Sequence, residues 1–202
     1  VTTIVVAGEA CSISIAKKWA ENRKFFNAYG PSEASIWTTI AEYFQGMDRL
    51  PIGKPIANTV LYVVNDNMEQ VAVGCEGELL IGGIGLSNGY LNRPELTAEK
   101  FISNPFDVQS KQRLYRTGDL VRWLADGQLE FVGRIDDQIK LRGFRIELNE
   151  VESSLLSHTD VHDAIAMVTS EPKRLIAYVV SSRSDQLINE LEELKGVLKD
   201  VN

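Results

Sequence analysis

The chain has little with which to staple itself, cross a membrane or grip nucleic acid. Of its 202 residues only two are cysteines, Cys11 and Cys75, far apart and with no CxxC spacing. That excludes a disulfide-rich secreted scaffold and the usual zinc-site spacings, and it reads as a pair of reduced thiols in a cytoplasmic protein. Long apolar runs are absent too. Stretches such as Ile4-Val5-Val6-Ala7 are far too short for a transmembrane helix. No basic segment followed by an apolar run opens the chain, so no secretory signal is read and no membrane partner is expected. Positive charge is scarce: the formal net charge is −7, the wrong sign for a general nucleic-acid binder. What remains is ordinary for a globular protein, with 44% hydrophobic and 24% charged residues.

The most informative stretch is Tyr115-Arg116-Thr117-Gly118-Asp119-Leu120, followed by Gly133-Arg134-Ile135-Asp136. Between them, Trp123-Leu124-Ala125-Asp126-Gly127-Gln128-Leu129 predicts a hairpin with Asp-Gly as its tight turn. The pattern places an acid, Asp119, at the end of one short strand and an Arg-x-Asp corner at the end of the next. An acid fixed in that way can accept both hydroxyls of a ribose, as the acid of dinucleotide folds does.

Upstream, the pattern predicts a buried strand over Thr2–Ala7, a helix over Ser12–Glu21 and a strand over Phe25–Ala28. A turn at Tyr29–Glu33, an extended Ser35–Tyr43 and a loop at Pro51–Pro55 follow. Strands are expected at Thr59–Val64 and Glu78–Gly82, and Pro94 fits the first turn of a helix reaching Phe101. Beyond Asp136 the character changes to short strands around Gly143, then a helix with Leu148, Val151 and Leu155 on one face. Strands Val161–Thr169 and Leu175–Val180 come next, and Leu187, Leu191, Leu194 and Leu198 mark a last amphipathic helix. A boundary is expected at Asp136, dividing residues 1–135 from 136–202.

Four segments in order carry a resemblance. They are Asn27–Glu33 (NAYGPSE), Gly77–Phe101 (GELLIGGIGLSNGYLNRPELTAEKF), Tyr115–Leu120, and Gly133–Leu148 (GRIDDQIKLRGFRIEL). Together they resemble the adenylation domains of nonribosomal peptide synthetases, within the superfamily of acyl-CoA synthetases and luciferases. The implied fold is α/β and α+β. It is the C-terminal part of the large AMP-binding subdomain, a sheet with a small distorted β-barrel, followed by part of the small α+β lid. The implied reaction activates an amino acid with ATP and Mg²⁺ as an aminoacyl-adenylate. The acyl group then passes to the phosphopantetheine thiol of a carrier protein, alongside other synthetase domains. The family's phosphate loop, its catalytic lysine and the acid that holds the substrate amine have no counterpart here. The resemblance therefore implies a partial domain, inactive by itself.

The resemblance also implies roles. Glu33 would hold Mg²⁺ and Ser32, where Thr is usual, would contact phosphate; alone, the pair would read as a helix cap. Gly8, Glu9, Asn27, Ala28, Tyr29 and Gly30 would border the nucleotide, with Tyr29 stacked on adenine and the Asn27 carbonyl facing its amino group. Asp119 would take the ribose diol beside Phe131, where Tyr is common, and Arg134 would contact the ribose-phosphate side. Asp136 would be the hinge of the lid. Lys140, counted with Ser32 and Glu33 among the catalytic groups, would join Arg142 and Gly143 facing the pantetheine arm. Val5, Ala7, Ala28, Ile36 and Trp37 would line an apolar acyl pocket suited to an uncharged side chain. Two rivals stand beside this reading: another ligase of the acyl-CoA synthetase type, and a serine hydrolase, since Gly85-Leu86-Ser87-Asn88-Gly89 fits G-x-S-x-G.

Overall fold

A computed structural model of the chain describes residues 1–107, 109, 112–136, 138–141, 143–170 and 173–181. Two compact units emerge, Val1–Asp136 and Asp137–Asn202. The architecture is sheet-rich α+β. Among the described residues no helix is long and apolar enough to cross a membrane. The expected helix through Leu187–Leu198 and the expected role of Arg142 fall outside the described residues.

In the first unit, β1 (Thr3–Val6) runs parallel to β2 (Lys24–Tyr29), joined by helix α1 (Ile13–Trp19). Ser12 caps α1, accepting the Ile15 amide at 3.4 Å, which satisfies a donor the first turn leaves orphaned. The sheet continues through β3 (Thr39–Glu42) and β4 (Lys54–Pro55), both antiparallel to their neighbours. β1 was expected to be buried, yet Val5 is 41% exposed. Among the described residues β1 is the edge of this sheet with one strand neighbour, and only half of its residues are partly covered.

A second sheet holds β5 (Thr59–Val64), β6 (Glu76–Gly83), β7 (Phe101–Ser103), β8 (Arg113–Trp123) and β9 (Leu129–Arg134), in the order β5-β6-β8-β7 with β9 also on β8. Helix α2 (Pro94–Lys100), with Pro94 in its first turn, lies between β6 and β7. Both faces of this sheet are covered, and alternation sorts the side chains. Val63, Leu79 and Ile81 point into one cluster with Tyr29, Ile52, Val121 and Leu129, while Val64, Leu80 and Leu114 form another. That explains the unbroken apolar run in β6, since a strand buried on both sides has no polar face to alternate with. The segment Pro51–Pro55, expected as a loop, instead bridges the two sheets. Gly53 and Leu129 form an antiparallel bridge in which Leu129 N donates to Gly53 O at 2.8 Å. Gly53 sits at φ +93°, and a Cβ there would lie 2.0 Å from the Ile40 carbonyl oxygen, so only glycine fits.

The second unit holds the antiparallel pair β10 (Ile139–Leu141) and β11 (Phe144–Ile146), turning at Gly143, then helix α3 (Leu148–Leu156). A longer pair, β12 (Val161–Ser170) and β13 (Lys173–Ser181), follows. Leu155 packs on Val161 and Ala164, with Val179 against the same cluster.

Candidate nucleotide site

Asp119 was expected at the end of a short strand. It lies instead inside the eleven-residue β8, and a register break aims it. Against β6, Leu80 pairs with Arg116 but Glu78 pairs with Leu120, so β8 carries two extra residues in the step. Gly118, at φ +68°, takes the turn that this bulge requires. A Cβ on Gly118 would also come within 2.9 Å of Arg134 Nη2 and Asp136 Oδ2. A second break sets Leu120 opposite Gly133 and Val121 opposite Phe131, and Asp119 falls directly opposite Arg134.

The bulge is fastened from β6. Thr117 Oγ1 donates to the Leu79 carbonyl at 2.7 Å and accepts the Asp119 amide at 2.9 Å. Glu78, which is buried, accepts the Gly118 amide on Oε1 at 3.1 Å and Arg116 Nη2 on Oε2 at 2.7 Å. That carboxylate raises the Arg116 pKa above its ordinary value.

Asp119 is 4% exposed, and two side chains hydrogen-bond its carboxylate. Arg134 Nη1 donates to its Oδ1 at 2.5 Å, and the Tyr29 hydroxyl donates to its Oδ2. Arg134 then clasps Asp136 with two parallel bonds of 2.6 Å, Nε to Oδ1 and Nη2 to Oδ2. One guanidinium thus bridges two of the carboxylates that the sequence singled out. Ile135 N donates to Gly118 O at 2.9 Å and holds the corner to the bulge.

Tyr29, expected to stack on adenine, is deeply buried. It is 7% exposed, packed in the core with Val63, Leu79 and Leu129, and its ring centroid lies 6.4 Å from that of Phe131. Burial foremost, then the Asp119 charge, pushes its pKa well above the ordinary tyrosine value. Asn27 is buried as well. Its Nδ2 donates to the Pro51 carbonyl at 2.8 Å, so that amide is anchored by its nitrogen end. Because β1 and β2 are parallel and Val6 pairs with Asn27, Ala7, Gly8 and Glu9 leave the sheet at the same end as Ala28, Tyr29 and Gly30. Ligands of parallel sheets sit beyond such carboxyl ends.

After Gly30 the chain forms a 3₁₀ turn, Ser32–Ala34. Thr38 N returns to the Tyr29 carbonyl at 2.8 Å and closes the loop. Ser32 is exposed, whereas Glu33 is 8% exposed and accepts the Tyr90 hydroxyl on Oε1 at 2.6 Å. Burial, then this carboxylate, raises the Tyr90 pKa. Ser35 and Ile36 both have positive φ, +60° and +74°. For a β-branched residue such as Ile36 that conformation costs about 1–3 kcal/mol. Of the residues expected to line the acyl pocket, Ala28 is buried, while Val5, Ala7, Ile36 and Trp37 are exposed. Lys140 belongs to the second unit, half-buried on β10.

Residues that the sequence left without a role complete the site. Glu78, Thr117 and Tyr90 each touch a singled-out residue across 38 or more positions or through a bulge, and a one-dimensional pattern has no signal for that. The hydrolase pattern fails on geometry. A nucleophile elbow joins a strand directly to a helix, whereas Gly85–Gly89 lies in the loop between Gly83, where β6 ends, and Pro94, where α2 begins.

Residues 1–91 match the model of the AMP-binding enzyme family. Over 94% of its length the chain is 52% identical to bacitracin synthase 3 of Bacillus licheniformis, of which it spans 3%. Its structure is similar, at a TM-score of 0.82 and 27% identity, to a holo NRPS protein containing adenylation and PCP domains, bound to a vinylsulfonamide inhibitor. That match covers 90% of this chain and 33% of the other. A four-domain nonribosomal peptide synthetase bound to AMP and glycine matches at a TM-score of 0.63 and 39% identity, covering 90% of this chain and 14% of that one. With four motifs in order and near-complete coverage of its own length, these similarities support a fragment of an adenylation domain of nonribosomal peptide synthetases, with residues 1–91 matching the AMP-binding enzymes.

Proposed function

We propose that this chain supplies the ribose-binding acid and the cation-binding turn of a site that activates an amino acid with ATP and loads it onto a carrier protein. The observation that carries the reading is the buried Asp119, held on a bulge between Arg134 and Tyr29. In the first half-reaction a carboxylate oxygen of the amino acid attacks the α-phosphorus, and the bond to the β-phosphate oxygen breaks to release pyrophosphate. In the second, the phosphopantetheine thiol of the carrier attacks the acyl carbon and AMP leaves.

Asp119 is an acceptor whose oxygens suit the two ribose hydroxyls. Arg134 fixes its orientation, and Asp136, clasped by the same guanidinium, is placed to sense the state of that arginine. Asn27, anchored through its Nδ2, keeps its carbonyl oxygen for the adenine amino group. The exposed Ser32 hydroxyl is placed for phosphate, and Lys140, with Gly143, belongs to the thiol-transfer step. Glu33 fits a Mg²⁺ that takes one protein carboxylate and completes its shell with substrate phosphates and water. Among the described residues no group of three or more His, Cys, Asp and Glu gathers as a metal cage, which agrees with that mode. When bound, the cation neutralises charge as two anions meet.

The test is pyrophosphate exchange by the full-length synthetase that carries this chain. Asp119→Ala and Arg134→Lys should each raise KM for ATP about 10-fold or more, because the loss corresponds to one charge-assisted hydrogen bond or a bidentate clasp. The amino-acid KM should move far less. An Asp119→Ala enzyme with unchanged ATP KM and kcat refutes the assignment.

A further inference from the structure

The loop between β6 and α2 is the segment whose G-x-S-x-G pattern found no use as a hydrolase elbow. Three of its contacts converge on the 3₁₀ turn that carries Ser32 and Glu33. The Ser87 amide donates to the Glu33 carbonyl at 2.8 Å, the Ser35 hydroxyl donates to the Gly85 carbonyl at 2.7 Å, and the Tyr90 hydroxyl donates to Glu33 Oε1 at 2.6 Å. The loop is itself tied down from two other elements. From β8, Arg113 donates to the Ser87 and Asn88 carbonyls at 3.0 and 3.1 Å while its guanidinium lies 5.3 Å from the centroid of the Phe101 ring. From α2, Thr97 Oγ1 accepts the Tyr90 amide at 2.9 Å. The Tyr90 ring packs edge-on against Phe101 at 5.7 Å, which fixes where its hydroxyl can reach.

We propose that the Gly85–Tyr90 loop is a positioning clamp for the cation-binding turn, in which the Tyr90 hydroxyl selects the rotamer of the Glu33 carboxylate. The proposal rests on the reading of Glu33 as the Mg²⁺ ligand. A carboxylate that ligates a metal is held by a second hydrogen bond, and removing that partner costs 10- to 100-fold in metal affinity in comparable sites. Here the donor is neutral, directional and rigidly mounted. It therefore orients one carboxylate oxygen without adding a competing charge. The Ser87 backbone bond and the Ser35 hydroxyl bond keep the turn itself from shifting when the side chain is loaded.

Tyr90→Phe removes one oxygen and keeps the ring packed. In the full-length synthetase it should raise the Mg²⁺ concentration for half-maximal pyrophosphate exchange by about 10-fold or more. Affinity for Mn²⁺, followed by electron paramagnetic resonance of free Mn²⁺ in the presence of a non-hydrolysable ATP analogue, should fall in parallel. Affinity for the analogue in EDTA should stay within about twofold, a split that a merely structural role would not produce. Ser35→Ala, which loosens the turn without touching Tyr90, should shift the Mn²⁺ affinity the same way by less, and it tests the clamp even if Tyr90→Phe folds poorly. Unchanged Mn²⁺ affinity in Tyr90→Phe, alongside a loss in Glu33→Gln, overturns the clamp and leaves Glu33 as the ligand. A Glu33→Gln enzyme with unchanged Mn²⁺ affinity overturns both. Equal losses with and without the cation in Tyr90→Phe also overturn the clamp.

Discussion

Glu78 offers the sharpest test of how the bulge at Gly118 is held. Its side chain is 9% exposed and spends one oxygen on the Gly118 amide and the other on Arg116, whose own side chain is 44% exposed. The two partners respond differently to its removal. In Glu78→Ala the Arg116 guanidinium turns back to water, so the lost ion pair costs about 0–1 kcal/mol, as for a surface pair. The Gly118 amide has no such escape, and leaving a half-buried donor unsatisfied costs about 1–3 kcal/mol. The two ranges add to about 1–4 kcal/mol, and the expected loss of local stability lies near the centre, about 2–3 kcal/mol. Hydrogen exchange reads this directly: in a fragment spanning Arg113–Trp123, opening should become about 30- to 150-fold more frequent. Glu78→Gln keeps an acceptor for Gly118 and loses only the ion pair, so its exchange should rise by about fivefold or less. If Ala and Gln gave equal increases, or if Ala gave none, the amide would not be what Glu78 secures. The bulge would then not depend on β6.

Two further perturbations follow from close approach and from burial. Gly53→Ala sets a methyl against the Ile40 carbonyl at a positive φ, and it should lower stability by about 3 kcal/mol or more, seen as a fall in the urea midpoint. Tyr29 and Tyr90 have folded pKa values raised above the unfolded value, so the folded state holds more protons than the unfolded one above about pH 10. Their contribution is complete below that pH and is lost as pH rises. Urea unfolding from pH 8 to 11 should show stability falling above pH 10, less steeply in Tyr29→Phe, and a variant with the same slope refutes the linkage.

The elements that sequence revealed are those whose signals are local. The Asp126-Gly127 turn was legible because Gly127 takes the left-handed conformation (φ +76°) that closes a three-residue hairpin loop, with Gly127 N on Leu124 O at 3.0 Å. Since that hairpin folds β9 back along β8, Asp119 and Arg134 meet as cross-strand partners. Other features depend on partners far along the chain. The bulge arises from how β8 meets β6, and nothing in Arg116–Leu120 announces two extra residues. β7 was missed because three residues are too few for a period, and Phe101 was absorbed into the end of α2. The depth of Tyr29 depends on Val63, Leu79 and Leu129 closing over it, which no reading of NAYGPSE contains. Tyr90 and Glu33 are 57 positions apart.

Acceptor arithmetic at Asp119 constrains how the proposed site can work. A carboxylate has about four lone-pair sites. Arg134 occupies one on Oδ1 and the Tyr29 hydroxyl one on Oδ2, which leaves one on each oxygen. A ribose diol needs two acceptors, so on the proposed reading it can bind without displacing either partner, provided the approach is open. The approach is the constraint, since only 4% of Asp119 is exposed. Arg134 cannot easily yield, because it also serves Asp136 through two bonds and moving it would strip both carboxylates of their cation. Tyr29 donates to this acid from a ring packed among Val63, Leu79 and Leu129, so it too is held. On the proposed reading the diol therefore takes the remaining lone pairs with both partners in place, and the Arg134 clasp on Asp136 is kept.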